Sequence, residues 1–426
     1  MRPIAFENRW RARRELAASV ARLIDLVAAV EVAQGLRQRR RKDGRDTEKF
    51  AACVDALLCN FAAINIAAPG RTLATARREL GDGSDIHGKT FIRTLDALEA
   101  GGLIEQSRGA WNREANRHVI SQSSAIPALL NYLPAALDPA CLHIQPGPPL
   151  ELRTRKDTAD KSRPMQLPDT PEAKLLAAQV DTVNAWLTSA DVRRRDGVAL
   201  CVVESNNRLP SVTSVHSWSL SRVFNNGTLA HGGRLAGGWW LGMSQQERAE
   251  LILIEGEPII ELDFVCMVPR VCYALRRVPW PFGDDRDAPY IVGPQAPREA
   301  WKKWVNSMLF AKRALGSWVG KTKGDRLAFA AQFGGLHWRE AREMVLTRHA
   351  ALATAGGFGC ELGMEGLRAE SDIAVDVVLR LRDQGIACLP IHDGFAVAAS
   401  KADQAMAAMI QAADAGLGVP LAVARK

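Results

Sequence analysis

Two aspartates stand inside apolar runs, Asp263 in IELDFVCMVP and Asp393 in LPIHDGFAV, 130 residues apart. Each run reads as a buried strand. A carboxylate in such a strand is costly unless something compensates it, and a divalent cation is the usual compensation. Between the two runs, REAWKKWVNSMLF reads as a helix with Arg298 and Lys302 one turn apart on one face. Two carboxylates for metal and a cationic pair for phosphate point to nucleotidyl transfer.

The flanking segments must hold these groups in place. TPEAKLLAAQV begins a predicted helix over 171–190, followed by strand and loop material to about 230. An amphipathic helix is expected over 364–384, with Ala374, Val378 and Leu381 inward and Gly385 as its stop. Residues 137–170 hold six prolines and the mixed-charge stretch RTRKDTADKSRP, which reads as a linker. The expected fold class is therefore α+β over 171–426, preceded by a mostly helical region.

That region divides in turn. Residues 1–46 read as a basic helical arm, with a helix over 10–35 carrying Leu16, Val20, Leu23, Val27 and Val30 at alternating four- and three-residue steps. A second helix covers 48–66 and ends before Pro69-Gly70. Over 71–121 the order is short helix, turn, second helix, then two strands, LIEQSRG and RHVISQ. The phrase FIRTLDALEAGGLIEQ resembles the recognition-helix-to-wing segment of winged helix-turn-helix domains, so 47–136 is expected to form one. That resemblance implies nucleic-acid contacts from Lys89, Arg93, Arg108 and Arg113. Packing against a partner or the rest of the chain is the alternative use of such a domain.

Composition bounds the reading. A hydrophobic share of 47% with 24% charged residues is that of a globular protein with a sizeable core. The net charge of +8 suits a polyanionic partner, and residues 1–50 hold 13 Lys/Arg against 7 Asp/Glu, including RQRRRK. A solvated loop explains that run as well as a nucleic-acid contact does. Eight cysteines without C-x-x-C spacing indicate neither a zinc site nor a disulfide framework. With no stretch resembling a signal peptide or a membrane span, a cytoplasmic protein without membrane partners is expected.

Taken together and in order, HGGRLAGGWW, LILIEGEPIIELDF, REAWKKWVNSMLF and LPIHDGF resemble the palm and fingers of family A (DNA polymerase I-like) enzymes and single-subunit phage-type RNA polymerases. The resemblance covers roughly residues 230–426. It implies a palm-type antiparallel sheet with helical fingers, and Asp263 and Asp393 as catalytic ligands of two Mg²⁺ ions, with Mn²⁺ as a substitute. It places Arg298 and Lys302 on the incoming triphosphate, Phe310 beside the nascent base pair and Val268 at the sugar gate. It sets Arg234, His392 and Glu370 against primer or template, with Ser371 beside Glu370. The implied partners are a DNA template and primer, or RNA, and nucleoside triphosphates. For His392 a purely structural role is the competing use, and for Trp239, Trp240, Trp301 and Trp304 core packing is favoured over base stacking.

Several positions depart from the family pattern. D-F-V-C-M-V replaces D-Y-S-Q-I-E, so Val268 stands where a glutamate blocks the ribose 2′-hydroxyl. Phe310 lacks the tyrosine hydroxyl found at that position, HDG replaces His-Asp-Glu, and Asn306 replaces an aromatic. Weak sugar discrimination is the expectation, in a compact template-directed polymerase suited to a primase-like or mobile-element replication role. A DNA-binding initiator with an inactive palm and an untemplated terminal nucleotidyltransferase are the alternatives.

Overall fold

The computed structural model describes residues 1–37, 44–75, 88–109, 111–112, 117–118, 120–156, 162–204 and 209–426. It is a mixed α+β chain of two compact units. The first comprises Met1–Pro148, Val192–Leu220 and Gly237–Ile252, and the second Pro149–Asp191, Ser221–Ala236 and Leu253–Lys426. The single linker expected at 137–170 did not anticipate the two later returns to the first unit.

In the first unit, helices α1 (Glu15–Ala33), α2 (Gly44–Ala67) and α3 (Lys89–Ala100) share one core. The expected arm at 1–46 is not a separate body, because Leu16, Val20, Leu23 and Val27 are buried with Phe50, Leu57 and Phe61 of α2. Its helix also starts later than expected: Trp10–Ala12 is a strand paired with Leu142–Ile144. Helix α2 corrects a second expectation. By length and composition it is long and apolar enough to cross a membrane, and most of its apolar stretch is buried inside the protein. Here the apolar girth serves a core. Buried Asn60 ties the N-terminal segment to α2, its Nδ2 donating to Glu7 O at 2.8 Å and its Oδ1 accepting from Glu7 N at 3.0 Å.

Strands β1 (Ile4–Ala5), β2 (Leu73–Ala74), β3 (Ile104–Ser107) and β4 (Gln122–Ala125) form a sheet in the order β1-β2-β4-β3. Phe91, Leu95 and Leu98 of α3 are buried, as their spacing predicts. The strand expected at 117–122 lies later in the chain: β4 begins at Gln122, and Arg117–His118 pairs instead with Trp111–Asn112.

The second unit is built on strand β8 (Glu257–Phe264), with neighbours on both sides. Ahead of it in the chain lie β5 (Leu150–Arg153), helix α4 (Pro171–Ser189), β6 (Ser221–Phe224) and β7 (Gly232–Ala236). The hairpin β9 (Cys388–Ile391) and β10 (Gly394–Ala398) runs antiparallel along one edge of β8, and β11 (Val423–Arg425) pairs with its other edge. Helices α5 (Met267–Leu275), α6 (Arg298–Phe310), α7 (Trp338–Arg348), α8 (Leu362–Asp383) and α9 (Ala402–Leu417) complete it. Helix α8 packs on α5, α6, α9 and β7. Ala374, Val378 and Leu381 face inward as expected. Gly385 (φ 70°) closes the helix, and Ile386 N donates to Leu381 O at 2.8 Å. Trp301 and Trp304 of α6 lie in an aromatic core with Phe329 and Phe333, and Trp239 and Trp240 are equally buried in the first unit.

Candidate active site

The pleat of β8 decides which side chains share a face: Glu261 and Asp263 lie two residues apart and project together. Register does the rest. Asp263 pairs with Gly394, so the β9–β10 turn sets Asp393 beside it, and Phe264 N donates to Asp393 O at 3.3 Å. That turn holds only two residues, and His392 adopts φ 58° to make it. A histidine in left-handed backbone costs of order 1 kcal/mol. Immediately after β8, Cys266 turns left-handed as well (φ 56°, ψ 42°), starting α5 at once and placing Val268 in its first turn.

A cleft of 490 Å³ opens at this point, lined by Asp263, Asp393, Val268, Tyr290, Arg298 and Lys302 among others. Asp263 and Asp393 are therefore gathered with Arg298 and Lys302 although 130 residues separate the carboxylates. Burial, then the charge of Asp393, pushes the Asp263 carboxyl above the usual aspartate range, with Lys426 pulling the other way. Its Oδ2 lies 2.7 Å from Lys426 Nζ, while its Oδ1 is buried without a hydrogen-bond partner. An orphaned buried carboxylate oxygen is an available metal ligand. Among the described residues no cluster of three or more His, Cys, Asp or Glu side chains could hold a metal. The pair alone suffices for Mg²⁺, which fills most of its octahedron with water and substrate phosphate.

Opposite the carboxylates, α6 presents Arg298, Lys302 and Asn306 at four-residue intervals. The first two sit over one ring: Arg298 Cζ is 5.3 Å and Lys302 Nζ 6.0 Å from the centroid of Tyr290. Asn306 lines the same cleft, its Oδ1 buried and without a hydrogen-bond partner. Tyr290 is itself 3% exposed. It is steadied by His349, whose Nε2 donates to Pro289 O at 3.0 Å while its Nδ1 accepts from the Tyr273 hydroxyl at 3.1 Å. Burial lowers the pKa of His349 to about 4, so the imidazole is neutral in this role. Sequence reasoning missed Tyr290, Arg286 and Lys426; Tyr290 ends a single 3₁₀ turn (Ala288–Tyr290), Arg286 lies in the loop before it, and Lys426 reaches the cleft only through the β8–β11 pairing.

Other expected residues lie elsewhere. Phe310 ends α6 outside the cleft lining and packs on Gly363, where even a Cβ would come within 2.8 Å of its ring. His392 is exposed at the hairpin tip, next to Asp393 but outside the lining. Glu370 is a correction: it is 2% exposed and grips Arg234 bidentately, at 2.6 and 2.9 Å, so it has no face to offer primer or template. Ser371 is buried too, donating to Gly233 O. Burial pushes the Glu370 carboxyl up, with Arg234 opposing. Removing Arg234 strands that carboxylate. Arg234→Ala is expected to cost about 2–3 kcal/mol in urea unfolding, less than a fully buried pair would because Arg234 is 37% exposed. Adding Glu370→Gln should restore most of the loss, and no restoration would contradict the pairing account.

In the first unit, Lys89 is exposed at the start of α3, and Arg93 Nε donates to Lys89 O at 3.2 Å. Arg108 is exposed and lies within 3.7 Å of Asp96 and 3.5 Å of Glu99, in surface pairs that leave it accessible. Arg113 lies outside the described residues.

No family model matches the chain. No curated protein matches its sequence. Among solved structures, the POL domain of Pol1 from M. smegmatis, in complex with DNA primer-template and dNTP, is similar over 52% of this chain at 14% identity and a TM-score of 0.28. The match spans about half of that structure as well, 48% of its length. A likeness this loose assigns no activity to the chain.

Proposed function

We propose that this chain is a template-directed nucleic-acid polymerase with weak sugar discrimination. The observation that carries the reading is one cleft holding two strand carboxylates, one with an orphaned buried oxygen, opposite two cations one turn apart. Asp263 and Asp393 would hold Mg²⁺, which when bound supplies Lewis-acid activation of a 3′-hydroxyl and neutralises charge at phosphorus. The protein's own part is positional. Arg298 and Lys302 clamp the polyphosphate, and Tyr290 forms the floor beneath them. Burial of this floor limits competing water.

Helix α6 also orders the substrate along its axis. Each four-residue step advances about 6 Å, so phosphate at Arg298 and Lys302 brings the sugar toward Asn306. Val268 offers neither charge nor bulk there. Purified protein with Mg²⁺ and a templated primer is therefore expected to incorporate NTPs and dNTPs within about tenfold of each other. Val268→Glu should shift the balance toward dNTPs by at least about tenfold. Strong dNTP preference in the unmodified protein would overturn the sugar reading, and no template-dependent product at all would overturn the polymerase.

The first unit supplies the nucleic-acid contact in this reading. The described elements α2, β2, α3, β3 and β4, with sheet order β2-β4-β3, support the winged-helix reading; the short helix expected over 72–80 is instead strand at Leu73–Ala74, and its remainder, with most of the turn over 81–88, lies outside the described residues. Lys89 and Arg93 on α3 would meet the duplex.

A further inference from the structure

We infer that Lys426 is a positioning residue that changes partners as the cleft fills: it neutralises Asp263 in the empty site and transfers its ammonium to the phosphates of the incoming nucleotide. This rests on the nucleotidyl-transfer reading above. Lys426 is brought to the cleft by construction. Strand β11 pairs Leu262 with Arg425, Asp263 with Ala424 and Phe264 with Val423. Beyond it, Lys426 N donates to Glu261 O at 2.9 Å. On the neighbouring residue, Arg425 Nη2 reaches Asp403 Oδ1 at 2.6 Å, fastening the strand from its other face.

The backbone is thus fixed while the side chain is not. Lys426 is 34% exposed against 15% for Asp263, and its flexible four-carbon stem can swing without disturbing the sheet. Its ammonium lies 2.7 Å from Asp263 Oδ2, the one oxygen of that carboxylate with a partner. Lys426 on Oδ2 and a divalent cation on the unpartnered Oδ1 draw on the charge of one carboxylate and repel each other, so the cation binds more weakly while Lys426 stays. A polyphosphate gives the ammonium a destination, since Lys426, Arg298, Lys302 and Arg286 all line the cleft. The site is then built to load metal and nucleotide together, with the metal alone held off.

Lys426→Met keeps the stem's length and removes the charge, so the two roles give opposite signs. Mn²⁺ binding without nucleotide, followed by the paramagnetic resonance of free Mn²⁺, should tighten by about 5–10-fold. Binding of ATP in EDTA, measured by calorimetry, should weaken by about tenfold. Lys426→Arg should retain most of the ATP affinity and guards against a folding defect in the methionine variant. If the unmodified protein binds Mn²⁺ and ATP but neither constant moves in Lys426→Met, or both move the same way, Lys426 is a structural pair and the inference fails. If the unmodified protein binds neither, the nucleotidyl-transfer reading itself fails.

Discussion

Asp263→Asn is expected to abolish nucleotide incorporation, by at least about 10³-fold, without lowering the stability of the metal-free protein. The two effects share one cause. Asp263 sits on a strand with neighbours on both edges, and its pKa is raised by burial and by Asp393. For a carboxyl raised in the folded state, the favourable contribution is complete below the unfolded pKa of about 4 and is lost as pH rises through the folded value. Wherever the native protein carries the charged form it bears that cost, whereas asparagine does not titrate. The released Lys426 side chain is a third exposed and finds water. Melting temperatures of the two proteins should accordingly match, or favour the variant, at pH 7.5, with any advantage shrinking toward pH 4. Mg²⁺ at about a hundredfold excess over its Kd should stabilise the unmodified protein by about 2.7 kcal/mol and the variant far less. Equal stabilisation of both would place the metal elsewhere. Acid should also silence incorporation earlier than an ordinary aspartate would, because protonated Asp263 is a poor ligand.

What could be seen in the sequence was what regular elements encode. The four-residue step from Arg298 to Lys302 survives as one helical face, and the apolar runs around Asp263 and Asp393 survive as paired strands. Glu370 shows where such reading stops. Its helix was legible, but its partner Arg234 is 136 residues away, and no local pattern signals that a carboxylate on an inward face will be matched. Tyr290 and Lys426 fail for the same reason: one ends a three-residue 3₁₀ turn too short to show a period, and the other depends on which strand β11 chooses. Helix α2 fails differently: its apolar length passed unmarked in the sequence, and because a buried core helix gives the same hydropathy as a bilayer span, only its packing marks it as core.

Of the two cations on α6, Lys302 should matter more. Arg298 already spends its guanidinium on Asp287 at 2.5 Å, on Glu299 and on Arg286 O at 3.2 Å, which orients it but partly neutralises it. Among the described residues Lys302 has no ion-pair partner, and its ammonium lies 6.0 Å from the centroid of the Tyr290 ring. A cation held over an aromatic floor, facing two carboxylates across the cleft, has its charge in reserve for an anion. Charge-assisted contacts to phosphate contribute about 1.5–3 kcal/mol each, and more where charge develops in the transition state. Lys302→Ala should therefore lower kcat/KM for the nucleotide by about 10²–10³-fold, and Arg298→Ala by about tenfold. Primer affinity should be unchanged in both, because neither cation is needed to hold a duplex. Lys302→Arg should recover binding better than turnover, since a planar fork cannot replace a compact ammonium over the same ring. Single-nucleotide incorporation under steady-state conditions separates these parameters. A larger loss from Arg298→Ala would mean that its carboxylate partners release it on binding, and the clamp would then centre on the guanidinium.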